Sequence, residues 1–286
     1  MKQKTDQSIL DKELFSIYDS VAQAKIDTKT GCELLETLIE QSANVNAKDD
    51  EKIGLLFGGK IFSKKTTIWG ERVISPEITE LLIIKGVKIN IFDKRGDHLL
   101  HKLAAQAFSN DISRILTLLN PLNPNYSNHA KESPLHIAAA CHNHLFIDFL
   151  NENIKTNVNN QNTFGNTPLH LTVMSWAQKS QLGIADQEQT IATIKALFKN
   201  HKIDPNIMND DNRTALNLAR KYERSQHIDK DASVIGNFIE EQIRLKGIPL
   251  NGQYQYDSKE ESGKRSSPCC HFVKNASNVA SKCIIM

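Results

Sequence analysis

Glu132–Ala140 reads ESPLHIAAA and Gly165–Val173 reads GNTPLHLTV. Both hold Pro-Leu-His, and their histidines, His136 and His170, lie 34 residues apart. Weaker copies stand on either side: GDHLLHKLA around His101, and DNRTALNLA with Asn217 in the histidine's place. Self-similarity at such a period marks an array in which each unit buries its apolar face only against its neighbours.

A second marker recurs independently. An asparagine preceded by Val, Ile or Pro stands at Asn46, Asn90, Asn125, Asn159 and Asn206. From the last four of these to the next histidine slot (His101, His136, His170, Asn217) the step is always 11 residues. The same step from Asn46 reaches Phe57 in IGLLFGGK, which reads as a degenerate first helix. The two markers together resemble the ankyrin repeat, whose signature is T-P-L-H-x-A at a period near 33. The resemblance implies an all-α ankyrin-repeat solenoid with short β-hairpin fingers, each asparagine sitting where a second helix gives way to a finger. It also implies that the histidines bond to neighbouring backbone and are not catalytic. His142 occupies the slot the family usually gives to glycine.

The interval from histidine slot to next asparagine varies, and two units are longer by ten or more residues. The extra segments, SKKTTIWGERVI and KSQLGIADQE, are expected in the turn between a unit's two helices. The first ends at SPEITELLIIKG, where Ser75 suits a helix cap and Pro76 the first helical position. Trp69 and Leu182 in these insertions are candidates for contact with a protein partner. DKELFSIYDSVAQA and CELLETLIEQSANVN read as an opening helix pair. DASVIGNFIEEQIRLKG reads as the closing helix, with Ile235, Phe238, Ile239 and Ile243 on one face and Gly247 at its end. The expected organisation is a helical cap over residues 1–46, repeats over 47–206, a capping repeat over 207–247 and a disordered, lipidated tail over 248–286.

The net charge of +2, from 35 basic and 33 acidic residues, provides no basic face for nucleic acid. The longest aliphatic run, Leu81–Ile84, is far short of the roughly 20 residues that span a bilayer. The start lacks the apolar core of a secretory signal. Cys32, Cys141, Cys269, Cys270 and Cys283 follow neither a disulfide nor a zinc spacing. No phosphate-cradling glycine loop, nucleophile elbow or metal motif occurs, so neither cofactor nor enzymatic activity is expected. The Cys141–His144 stretch, CHNH, lacks a third orienting group.

The polar segment after Gly247 ends in CIIM, which resembles the C-a-a-X prenylation box, with Met favouring farnesyl. The resemblance implies a thioether on Cys283 formed by a prenyltransferase, and removal of Ile284–Met286. One lipid of this size binds reversibly. Cys269 and Cys270 are candidate palmitoylation sites for a second anchor, against the alternative of idle thiols. The neighbouring charge, five basic against three acidic residues over Asp257–Cys283, makes a weaker one.

Leu38 and Leu82 stand eight residues before Asn46 and Asn90, resembling sites that asparaginyl hydroxylases modify in ankyrin proteins; ordinary helix-to-finger packing is the favoured explanation of the spacing. The whole resembles ankyrin effectors that intracellular bacteria deliver into host cells, where the host farnesylates them. That implies a monomeric adaptor with a protein partner on its concave face, held on the cytosolic side of a host membrane. A ubiquitin-ligase adaptor, a eukaryote's own prenylated scaffold and an enzyme site in the insertions stay open as alternatives.

Overall fold

The computed structural model describes residues 2–48, 75–90, 92–93, 95–106, 110–119, 123–153, 155–226 and 234–250. Among the described residues the regular elements are eleven α-helices, with no β-strand. The chain divides into two compact units, residues 1–123 and 124–286.

In the first unit α1 (Lys2–Ala22) packs on α2 (Thr28–Glu40), α2 on α3 (Pro76–Ile84), and α3 on α5 (Asn110–Leu118), while α4 spans Leu99–Ala104. Asp27 begins α2 by accepting the Thr30 N–H at 2.9 Å and the Thr30 hydroxyl at 2.6 Å. Ser75 caps α3 through Ile78 N–H, with Pro76 at the first helical position. Apolar residues at helical spacing (Leu14 and Tyr18, Leu35 and Leu38, Ile78 and Leu82, Ile112 and Ile115) are buried. Each such side chain contributes roughly 1.5–3 kcal/mol relative to exposure.

The second unit is two rows of helices. α6 (Pro134–Cys141), α8 (Pro168–Gln181) and α10 (Ala215–Ser225) form one row; α7 (His144–Asn153), α9 (Gln187–Lys199) and α11 (Val234–Leu245) form the other. Ala138, Ala139 and Ala140 are wholly buried, and their small side chains let α6 and α8 approach closely. Larger residues fill the second row, including Phe146, Leu150, Ile194, Leu197, Ile239 and Ile243. The closing helix buries Ile235, Ile239 and Ile243 as expected, whereas Phe238 is half-buried, with Lys195 Nζ 5.6 Å from its ring centre; Gly247, at φ 65°, follows the helix end.

Two expectations are refined. The fingers are tight turns, each closed by two backbone hydrogen bonds, such as Asn162 N–H to Asn166 O and Gly165 N–H to Asn162 O, both at 3.0 Å. They form no strand ladder among the described residues. The KSQLGIADQE insertion is also not simply a turn. Its first three residues lengthen α8, which has 14 residues against 8 in α6, and its last two begin α9. Its Lys, Ser and Gln continue the helix until Gly183, at φ 71°, allows the reversal. Ile184 N–H then bonds to Lys179 O and Gly183 N–H to Ser180 O, a Schellman ending.

Candidate functional site

Three residues after each finger asparagine of the last four units stands an Asp or Asn: Asp93, Asn128, Asn162, Asn209. Its side-chain oxygen accepts the N–H two residues and four residues further on, at 2.8–3.1 Å. A short oxygen acceptor is the group that can nucleate such a turn without strands. The sequence reading missed this residue, although its constant step was visible. One residue before the turn closes the backbone is left-handed: Gly96, Lys131, Gly165 and Asn212 have φ of 76°, 56°, 69° and 55°.

Five residues after these come the histidine slots. His136 Nδ1 accepts from Ser133 N–H at 3.1 Å, so the ring proton sits on Nε2 and is donated to Asn166 O at 3.1 Å. His170 repeats this with Thr167 N–H at 3.2 Å and Arg213 O at 2.8 Å. Each ring therefore closes the start of its own helix and reaches the next finger's backbone. Burial pushes both rings down to about 4, so they are neutral. In the last slot Asn217 Oδ1 accepts from Thr214 N–H and its hydroxyl, at 3.0 and 2.8 Å. The shorter amide keeps the local half of the histidine's role. In the first unit His98 replaces the capping hydroxyl, and its Nδ1 lies 3.3 Å from that of His101.

The finger asparagines form a second ladder. Asn125 donates to Lys155 O at 3.0 Å and accepts from Asn157 N–H at 2.6 Å. Asn159 does the same with Lys202 O and Asp204 N–H, at 2.7 and 2.9 Å. Asn46 accepts from Lys88 N–H at 2.7 Å, and Asn206 donates to Pro249 O at 3.0 Å. Adjacent fingers are joined once more by Thr163 N–H to Ala130 O and Asp210 N–H to Phe164 O, at 3.0 and 3.1 Å.

His142 adopts the left-handed conformation expected of a glycine slot, at φ 58°. Its ring does not loosen the turn. It is buried between α8 and α9, 3.2 Å from Thr172 O and 3.4 Å from Thr190 Oγ1. Burial, helped by the Lys179 charge, pushes it down to about 3. A neutral ring locked on two helices is a structural staple.

The structure is similar to the crystal structure of an ankyrin repeat domain from Acinetobacter baumannii, which is 18% identical. The match covers 82% of this chain and 99% of that one, with a TM-score of 0.57. The fold is an ankyrin-repeat fold. No protein-family model and no curated protein matches the sequence.

Within the ankyrin units, the residues singled out from sequence are scattered. Leu182, the cap of α8, is 56% exposed, and Ile184 beside it is 50% exposed. Asn46 is half-buried with its amide oxygen engaged, whereas Asn90 is exposed. His101, His136 and His170 are buried in separate ankyrin helices, His101 beside His98. Trp69, Phe57, Cys269, Cys270 and Cys283 lie outside the described residues. No cluster of metal-binding side chains occurs among the described residues.

Proposed function

We propose that this chain is a protein-binding adaptor whose ankyrin units hold a protein partner while a farnesyl group on Cys283 confines the pair to the cytosolic face of a membrane. The adaptor half is carried by how the described units spend their polar side chains. The slot histidines and finger asparagines are consumed in unit-to-unit bonds, and the exposed side chains of fingers and interhelix turns remain to meet a partner. Leu182, on an ordered turn, belongs to that outward set; Trp69, in the other insertion, joins it as a candidate from the sequence alone.

The lipid half rests on the CIIM box and on the polar segment before it, and requires Met286 to be the last translated residue. Cys269 and Cys270 supply a second acylation, since one farnesyl chain binds reversibly. Confinement to a surface raises the effective concentration of a partner without any new contact. The AT-rich residue usage, heavy in Asn, Lys and Ile, supports delivery by an intracellular bacterium into a host that performs the lipidation. Asn46 and Asn90 are then open to host asparaginyl hydroxylases, Asn90 being the more accessible.

The test is expression of the full chain in animal cells with mass spectrometry of its C-terminal peptide. An added isoprenoid on Cys283, and loss of membrane association in Cys283→Ser, are expected. An unmodified peptide ending at Met286 removes the tether. Proximity labelling that enriches no protein over a finger-scrambled control removes the adaptor.

A further inference from the structure

We infer that the three fingers of the second unit form one recognition surface for an extended peptide that carries an acidic and a basic side chain about six residues apart. This rests on the adaptor reading and gives it a ligand class. The turns at Asn128, Asn162 and Asn209 are held in fixed order by the Thr163–Ala130 and Asp210–Phe164 backbone bonds. A further bond, from Gln161 Nε2 to Met208 O at 2.9 Å, ties the second to the third.

Charge changes sign along that order. The first finger exposes His129 and Lys131, the second the uncharged Gln161 and Thr163, and the third Asp210 and Asp211, with Arg213 half-buried behind them. No ion pair among the described residues engages Lys131, Asp210 or Asp211. Lys131 holds a left-handed backbone where the second finger has Gly165, so a basic side chain is kept at that tip against a conformational cost. Tyr126 and Met208, 39% and 37% exposed, stand on the outer two fingers and offer apolar contact on the same fingers as the charges. Tyrosine and methionine in such places are favoured anchors for a partner.

The spacing follows from backbone dimensions. Packed helices lie roughly 8–10 Å apart, so successive units set their fingers about 10 Å apart and the first and third fingers span about 20 Å, or about six residues of extended peptide. Its carboxylate would face Lys131 and its cation Asp210 and Asp211.

A displayed library of 12-residue peptides selected on the full chain tests this. Recovered peptides are measured against the parent, Lys131→Glu, and the triple variant Lys131→Glu/Asp210→Lys/Asp211→Lys, each first shown to melt like the parent. Peptides with an acid and a base near a six-residue separation are expected, weakened about fivefold or more by Lys131→Glu and by raised salt. The triple variant should regain them, because a peptide can bind in reverse on a reversed surface. Binders that lack the charge pair, or that ignore Lys131→Glu, overturn the inference and leave the adaptor standing. Failure to recover any peptide that responds to the finger variants also overturns it, while proximity labelling judges the adaptor separately.

Discussion

Lys131 and Gly165 occupy one position of successive fingers, and both are left-handed. An L side chain there crowds the following carbonyl, at a cost of roughly 1–2 kcal/mol. Glycine removes that cost but loses more freedom on folding, offsetting about half of the gain. Lys131→Gly should therefore stabilise the protein by about 0.5–1 kcal/mol in urea unfolding. Gly165→Ala should do the reverse. A methyl group at that position would lie 2.5 Å from Asp210 Oδ1, 2.7 Å from the Asp210 backbone nitrogen and 3.0 Å from Asn209 Cα. The backbone of the next finger cannot give way as a side-chain tip can, so a loss of about 2 kcal/mol or more is expected. If the two variants shift the urea midpoint in the same direction, the left-handed finger position is not what sets their stability.

At the scale of elements, α10 holds α11 by a buried charge network. Arg220 Nη2 donates to Asn237 Oδ1 and to Glu240 Oε2, both at 2.7 Å, while Glu223 Oε1 accepts the Gly236 N–H at 3.1 Å. The Glu223 side chain is 3% exposed and lies 3.8 Å from Arg220 Nη1. Removing Arg220 takes a cation away from a carboxylate held out of water, and breaking such a buried pair costs about 3–5 kcal/mol. Arg220→Ala should raise amide hydrogen exchange across residues 234–245 and lower stability by that order. Arg220→Met/Glu223→Met should cost less than the single change, since no charge is then left buried. Unchanged exchange in α11 after Arg220→Ala would remove the clamp. Little of this was legible beforehand. The apolar face of α11 could be read from Ile235, Ile239 and Ile243, because helical periodicity is local. Which cation faces Glu223 depends on two helices meeting. The length of α8 escaped for a related reason: its stop, Gly183, lies in an insertion with no counterpart in other units, so alignment alone placed a turn where helix continues.

Over the whole molecule, the repeat was readable because each unit must present the same few polar groups to its neighbour at fixed intervals, and an 11-residue step survives loss of the surrounding sequence. The Asp or Asn at each finger turn carried as constant a step but no rare residue type, so only its hydrogen bonds distinguish it. The same buried histidines make stability depend on pH. An imidazole titrates near 6.5 when unfolded, whereas burial holds His136 and His170 at about 4 and His142 at about 3. Above 6.5 all three are neutral in both states, and their bonds contribute in full. As pH falls from 6.5 toward 4 the unfolded chain binds protons that the folded chain refuses, and stability drops by about 1.4 kcal/mol per pH unit per histidine. At pH 5 each has lost about 2 kcal/mol, so the three together remove an amount comparable to the 5–15 kcal/mol that typically holds a protein folded. Asp93, held below its ordinary range by the Lys102 ammonium against the opposing effect of burial, adds its loss only at lower pH, as the carboxylate titrates. Urea midpoints measured from pH 7.5 to 4.5 should fall steeply below pH 6.5. In His142→Gln the slope between pH 6 and 4.5 should be shallower by one histidine's share, whatever the variant's stability at neutral pH. A parent whose midpoint is flat down to pH 4.5 would mean that these rings are not held neutral.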